Sequence, residues 1–288
     1  MLKVLLIKLG GDVKFKAFLL LSVLIISFLS YGQEYSNPES AVFDPGSNRY
    51  FISNFGNGTI IQIDSVGVKT YFKKGFSRLL GMIIYNNVLY VVENPKKVRG
   101  FDITNGKPVM ELKIEEAQFL NDITVDDSGF LYVTDSRGAV VFKIDITNQS
   151  YSLFIKTISE DPNGIIYDKF NNRLLVCHFR ENAQIDQVNL KDTSTSTVAL
   201  TGFDNLDGIT LDESGNCYVS SWSKGNFSDG FKKEGVIIKY DNLFKQKPEI
   251  IYNGLLGPAD IYFNISKNEL VVPLFLENDV MFLSLKKD

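Results

Sequence analysis

Hydrophobic and polar positions alternate with a period of two along nearly the whole chain from residue 38 to residue 285, in runs rich in Val, Ile, Tyr and Phe. That period predicts half-buried strands and leaves almost no helical signal. The runs come in pairs joined by Gly, Asn or Asp/Ser turns, so each pair reads as a hairpin. Six such pairs recur, and their equivalent second positions are Glu39, Leu80, Asn121, Asn163, Asp207 and Ala259, at spacings of 41, 41, 42, 44 and 52 residues. A third run follows in each copy, such as 59–63, 140–144, 236–240 and 280–285, and most copies have a fourth, such as 69–72 or 150–155. Three to four antiparallel strands per repeat, six times over, predict an all-β six-bladed β-propeller spanning residues 33–288. The last copy ends after its third strand, and the pattern leaves open how the ring is sealed.

The first 32 residues break the alternation. Lys3, Lys8, Lys14 and Lys16 precede an uncharged apolar run over 17–29, and Ser30-Tyr31-Gly32 supplies small residues around a cleavage point. This predicts a signal peptide over residues 1–32, with a periplasmic or extracellular mature protein. The run is too short for a comfortable membrane span and no lipid-accepting cysteine follows it, so no stable membrane anchor is expected after cleavage. Of the 288 residues, 44% are hydrophobic and 22% charged, enough to build a sizeable core. The formal charge is −4, and −7 without residues 1–32, with no basic tract. A nucleic-acid partner is therefore not expected. Cys177 and Cys217 are too few and too far apart for a disulfide framework and are expected as buried apolar fillers.

In a propeller the six anchor positions converge at the mouth of the central channel. Leu80 and Ala259 are apolar there, but Glu39, Asn121, Asn163 and Asp207 put two carboxylates and two amide carbonyls into one ring. That is a hard-oxygen set, suited to one divalent cation, and Ca²⁺ fits it best; Mg²⁺, Mn²⁺ and Zn²⁺ are the alternatives. Without a cation, two buried carboxylates would repel and be costly to desolvate. The competing explanation is that these side chains merely cap strand ends and turns.

Pro38-Glu39-Ser40, Leu120-Asn121-Asp122, Pro162-Asn163-Gly164 and Leu206-Asp207-Gly208, in that order and spacing, resemble the senescence-marker-protein/gluconolactonase family that includes regucalcin. The ordered Glu, Asn, Asn and Asp set is also similar to the calcium site of diisopropyl-fluorophosphatase. The resemblance implies a metal-dependent hydrolase of a lactone or related ester. It implies metal ligands at Glu39, Asn163 and Asp207, with Asn121 contacting substrate or reaching the metal through water. It further implies that Asp207 is catalytic, as general base towards water or as nucleophile. One departure stands out: the arginine that regucalcin-like lactonases carry two places before the third-blade asparagine is Phe119 here.

The second runs end near Asn54, Glu93, Asp135, His178, Trp222 and Phe275, which are expected to form the pocket wall. His178 is the only histidine, which excludes His-rich zinc sites. It is either an active-site group or a hydrogen-bonded wall residue. Trp222, the only tryptophan, stands equally between stacking on a ligand and packing between blades. The 12 residues from Ser223 to Glu234 form an unusually long loop, either a lid or a solvated insertion. Three functions compete: a hydrolase of a small-molecule ester, a non-catalytic binding propeller with a structural ion, and a lyase with His178 as its base.

Overall fold

The computed structural model describes residues 34–285; the expected signal peptide, residues 1–32, lies outside them. All 25 elements are strands. Six antiparallel sheets are built in chain order, five of four strands and the last of three, with a small two-stranded hairpin added within the fifth. This is the six-bladed all-β propeller that the alternation predicts. The inner strands are Pro38–Asp44, Leu79–Tyr85, Leu120–Val125, Pro162–Asp168, Leu206–Leu211 and Tyr262–Asn264. The second strands, Arg49–Asn54, Val88–Glu93, Phe130–Asp135, Arg173–His178, Cys217–Ser221 and Glu269–Leu274, are buried over almost their whole length. Their middles are apolar on both faces, built from Val, Ile, Leu, Phe and Tyr, because both faces of a blade pack against neighbouring blades. The outer strands, such as Ser150–Lys156, meet solvent and revert to mixed polarity.

Two devices repeat around the ring and set the geometry of its centre. In each of blades one to five the inner strand slips register against the second strand just at the anchor, as between Pro38 and Ala41 or between Pro162 and Ile165. This β-bulge sets the anchor and the next residue opposite a single partner and re-aims the anchor side chain. The second device is a hydroxyl one place before the end of the second strand. Ser53 Oγ accepts the bulge N–H of Ser40 at 3.0 Å and donates to the carbonyl of Leu80 in the next blade at 2.8 Å. Thr134 does the same between Asp122 and Asn163, and Ser220 between Gly208 and Ala259. Cys177 occupies this position in blade four, its Sγ 3.1 Å from the carbonyl of Asp207. It is buried, as expected, but it also stands in for a hydroxyl and is more than apolar filler. At Gly208 the channel is so narrow that a Cβ would collide with the backbone of Asp260 and Ile261.

The ring closes through a backbone hydrogen bond from the Asp260 N–H to the Glu39 carbonyl at 2.9 Å, through side chains and through a shared core. Among the described residues no N-terminal strand completes the sixth blade. Asn37 accepts nothing from it but donates twice, its N–H to Asn278 Oδ1 at 2.7 Å and its Nδ2 to the carbonyl of Phe275 at 2.9 Å. Tyr50 of blade one donates to Glu269 at 2.6 Å and accepts from Asn264 at 2.7 Å. Val271 and Val280 of blade six share one apolar cluster with Tyr35, Ala41, Phe43 and Ile52.

Thr134→Val keeps the shape but removes the bridging hydroxyl, leaving the Asp122 N–H and the Asn163 carbonyl without that partner. Its expected cost is about 1–3 kcal/mol, read as a lower urea midpoint with unchanged slope.

Candidate metal centre and ligand cavity

The six blades deliver equivalent residues to one end of the channel at three positions. At the lead-in position, two residues before the anchor, the backbone carbonyl accepts the N–H of the residue that follows the second strand. The pairs are Asn37 with Phe55, Arg78 with Asn94, Phe119 with Ser136, Asp161 with Phe179, Asn205 with Trp222, and Gly257 with Phe275. The lead-in residues of blades one, four, five and six have left-handed backbone (φ of 48°, 52°, 51° and 66°). Asn, Asp and Gly are the residues that tolerate this region, which accounts for Asn37, Asp161, Asn205 and Gly257. Arg78 and Phe119 are free of that restriction.

These positions surround a cavity of about 520 Å³. Glu39, Asn121, Asn163 and Asp207 all line it, together with Leu80, and form its floor. Each of the four polar residues is buried. Asn121 Nδ2 donates to Ser136 Oγ at 3.1 Å, which leaves its Oδ1 as the unengaged end of the amide. Glu39 Oε2, Asn121 Oδ1 and Asp207 Oδ1 are buried acceptors without any hydrogen-bond partner. Three orphaned oxygens from three blades, on one floor, are the arrangement that a hard cation satisfies and that strand capping does not. Among the described residues no group of three His, Cys, Asp or Glu is placed to hold a metal, so a cation here depends on the amide oxygens as well.

Electrostatics point the same way. Asp122 and Asp260, each one residue past an anchor, lie close to the floor and add two more buried carboxylates. Burial first, and then the charges of Asp207, Asp260 and Asp122, push the Glu39 carboxyl well above its usual range. Burial and the Asp122 charge raise Asp207 to about 8, a rise opposed by the indole N–H of Trp222, which lies nearby without making a formed hydrogen bond. Asp122 rises to about 7 through burial, opposed by the N–H groups of Ile165 and Ile123. Asp260 rises through burial and the same neighbours, opposed by the hydroxyl of Ser40. No lysine or arginine contributes to lowering any of the four.

The wall corrects the sequence expectation in a systematic way. Trp222 and Phe275 line the cavity; Asn54, Glu93, Asp135 and His178 do not. The four are the last residues of their strands, whereas Trp222 and Phe275 are one residue further on, and a shift of one residue along a strand reverses the face. The true equivalents of Trp222 and Phe275 are Phe55, Asn94, Ser136 and Phe179, and all of these but Asn94 line the cavity. The strand-terminal residues instead clamp the loop that leads into their own blade. Asn54 Oδ1 accepts the Ser36 N–H at 2.9 Å, Glu93 that of Ser77 at 3.3 Å, and Asp135 those of Gln118 and Phe119 at 2.8 Å. His178 bridges the Glu160 carbonyl and the Asp186 carboxylate, each at 2.9 Å, and is fully buried away from the floor. The lyase alternative thereby loses its base. Ser221 completes the series by donating to the Asp204 carbonyl at 2.6 Å.

Trp222 is 2% exposed and lines the cavity while packing on Phe179, Phe231 and Phe275. The long loop of blade five folds as a hairpin of Gly225–Asn226 and Gly230–Phe231. Its tip carries Phe227, 71% exposed, into the cavity lining. Lys233, which follows the hairpin, pairs with Glu277 of blade six at 2.5 Å. Phe119 lines the cavity where the family arginine would be, but Arg78 and Arg137 line it too.

No protein-family model matches the chain, and no curated protein sequence matches it. Solved structures do. A gluconolactonase of Xanthomonas campestris is similar at a TM-score of 0.73 and 13% identity, over 88% of this chain and 87% of that one. The virginiamycin B lyase of Staphylococcus aureus is similar at 0.61 and 13%, over 87% and 85%, and the hydrazine synthase of Kuenenia stuttgartiensis at 0.67 and 12%, over 91% and 99%. At these identities the likeness is one of fold, and the fold implied by the gluconolactonase-like motifs is the fold the chain has.

The sign of the carboxylate shifts fixes a pH dependence. A carboxyl whose pKa is higher folded than unfolded binds its proton more tightly in the folded state, so stability falls as pH rises between the two values. For Asp207 that window runs from 3.8 to about 8. Protein stripped with a chelator is expected to melt at a lower temperature at the top of this window than near pH 5, and added Ca²⁺ to raise Tm more at the alkaline end. Differential scanning calorimetry across the window checks both.

Proposed function

We propose that the protein is an exported, metal-dependent hydrolase of a lactone or related small-molecule ester, with one divalent cation, Ca²⁺ in the first instance, held by Glu39, Asn163 and Asp207. The observation that carries the reading is the trio of unpartnered buried oxygens of Glu39, Asn121 and Asp207, which line the cavity beside Asn163, with Asp122 and Asp260 close by and no lysine or arginine lowering any of these carboxyls. The gluconolactonase among the structural neighbours supports the same reaction class. The apolar stretch and lysines of residues 1–32 support export to the periplasm or the extracellular space.

A bound divalent ion supplies Lewis-acid polarisation of a carbonyl and a more acidic water. The chain supplies the rest. Asp207 accepts the proton of the attacking water on its carboxylate, or attacks the carbonyl itself; the first is favoured because it needs no covalent intermediate. Positive charge on the same floor brings the Asp207 pKa down from about 8 and keeps it ionised for that task. Asn121, held by Ser136, presents its amide edge to the substrate. The aromatic wall excludes bulk water and so strengthens these polar contacts.

Elemental analysis of the purified mature protein, with lactone, aryl-ester and phosphotriester assays before and after chelation, tests this. Stoichiometric metal and chelator-sensitive turnover are expected. Glu39→Gln is expected to lose the metal, and Asp207→Asn to lower turnover at least about a hundredfold. Asp207→Asn with normal metal content and normal rate would remove Asp207 from the mechanism. Metal without turnover on any ester would favour the binding propeller with a structural ion.

A further inference from the structure

The partners of the six arginines in the sequence divide them into two groups. Arg49 and Arg173 are held by Asp44 and Asp168, Arg99 by Glu93 and Glu111, and Arg180 by the hydroxyl of Ser159. Arg78 and Arg137 have no ion pair and no side-chain hydrogen bond among the described residues, and they are the two that line the cavity. Each lies over a phenyl ring, as Arg49, Arg99 and Arg173 also do. The Arg78 guanidinium lies 5.1 Å from the centre of Phe55, and that of Arg137 lies 5.1 Å from the centre of Phe119. A guanidinium lying over a ring keeps N–H groups available, and a carboxylate is the partner that takes two of them in parallel hydrogen bonds.

The cavity is therefore divided. Blades two and three contribute the two unpaired cations, while blades four to six contribute Phe179, Trp222, Phe227 and Phe275. Asp161, the remaining acidic residue of the lining, has Arg180 beside it. A sugar lactone lying on the side of blades four to six would set some of its hydroxyls against the phenyl and indole faces of Phe179, Trp222, Phe227 and Phe275, where they find no partner, an arrangement that costs binding energy. A free carboxylate set down on the floor would lie against Glu39 and Asp207 and compete with the ester carbonyl for a cation held there, so a second, anionic group of the ligand is directed towards the arginines.

Resting on the reading of this cavity as the substrate site, we infer that its ligand is an apolar, aromatic or long-chain ester or lactone carrying a free carboxylate, with the apolar body against blades four to six and the carboxylate on Arg78 and Arg137. Trp222, the only tryptophan, sits in the aromatic half, so its emission reports occupancy without any need for turnover.

The test uses three probes on the mature protein, with and without Ca²⁺: phenylpropionate, its neutral methyl ester, and gluconate. Phenylpropionate is expected to change Trp222 emission and to bind at least about tenfold more tightly than either of the others, the ratio that one charge-assisted hydrogen bond provides. Changing both Arg78→Gln and Arg137→Gln is expected to abolish the preference for the acid over its ester. Both side chains are exposed, and each single variant is also measured, with circular dichroism confirming the fold. Equal binding of acid and ester, tighter binding of gluconate, a preference that survives the double change, or no response to phenylpropionate would each overturn the inference. The hydrolase reading fails separately, through absence of metal or of ester turnover. Arginine-dependent binding without turnover would keep the ligand class and discard the hydrolase, and chelator-sensitive hydrolysis confined to sugar lactones would do the reverse.

Discussion

Glu39 and Asp207 enter the channel from different blades and arrive on one floor, with Asp122 and Asp260 close by and no basic side chain to neutralise any of them. Like charges removed from water and left unpaired are among the most unfavourable arrangements a folded protein can contain. The ring nevertheless forces the meeting, because six inner strands that start at one end of an axis must bring their first residues together. The bulge at each anchor and the hydroxyl that ties it to the next blade hold these residues in place, so they cannot relax apart. A propeller with this ring either keeps its carboxylates protonated or holds a cation, and the geometry of the rest of the cavity follows from how those anchors are held.

The repeat period, strand count and anchor positions were legible in the sequence because they follow from alternation and spacing, which survive the loss of almost every other similarity between blades. The wall was only half legible. Asn54, Glu93, Asp135 and His178 were aligned with Trp222 and Phe275, although the true register places them beside Ser221 and Leu274. Aligning Asn54-Phe55, His178-Phe179 and Ser221-Trp222 as dipeptides exposes the signal that was missed, a polar residue followed by an aromatic one. The polar member clamps its own lead-in loop and the aromatic member faces the ligand. The bulge could not be read at all, because one extra residue inside a short strand looks like ordinary alternation with a polar exception. Ring closure was equally hidden, since it rests on Asn37, Tyr50 and a mixed apolar cluster and not on a pairing motif.

The backbone also explains where specificity can reside. Four of the six lead-in positions are left-handed, a region that favours Asn, Asp and Gly, and all four carry one of these, which narrows the chemistry they bring to the mouth. The two that are not, Arg78 and Phe119, are free to carry any side chain. The absence of an arginine at position 119 therefore does not leave the cavity without cations: Arg78 occupies the equivalent place one blade earlier, and Arg137 lies over the ring of Phe119 itself. The oxygens of the floor sit at the bulged anchors, so the unrestrained lead-ins of blades two and three are where the charge of the mouth can differ. A change of substrate class can then proceed at blades two and three without disturbing the floor on which the chemistry depends.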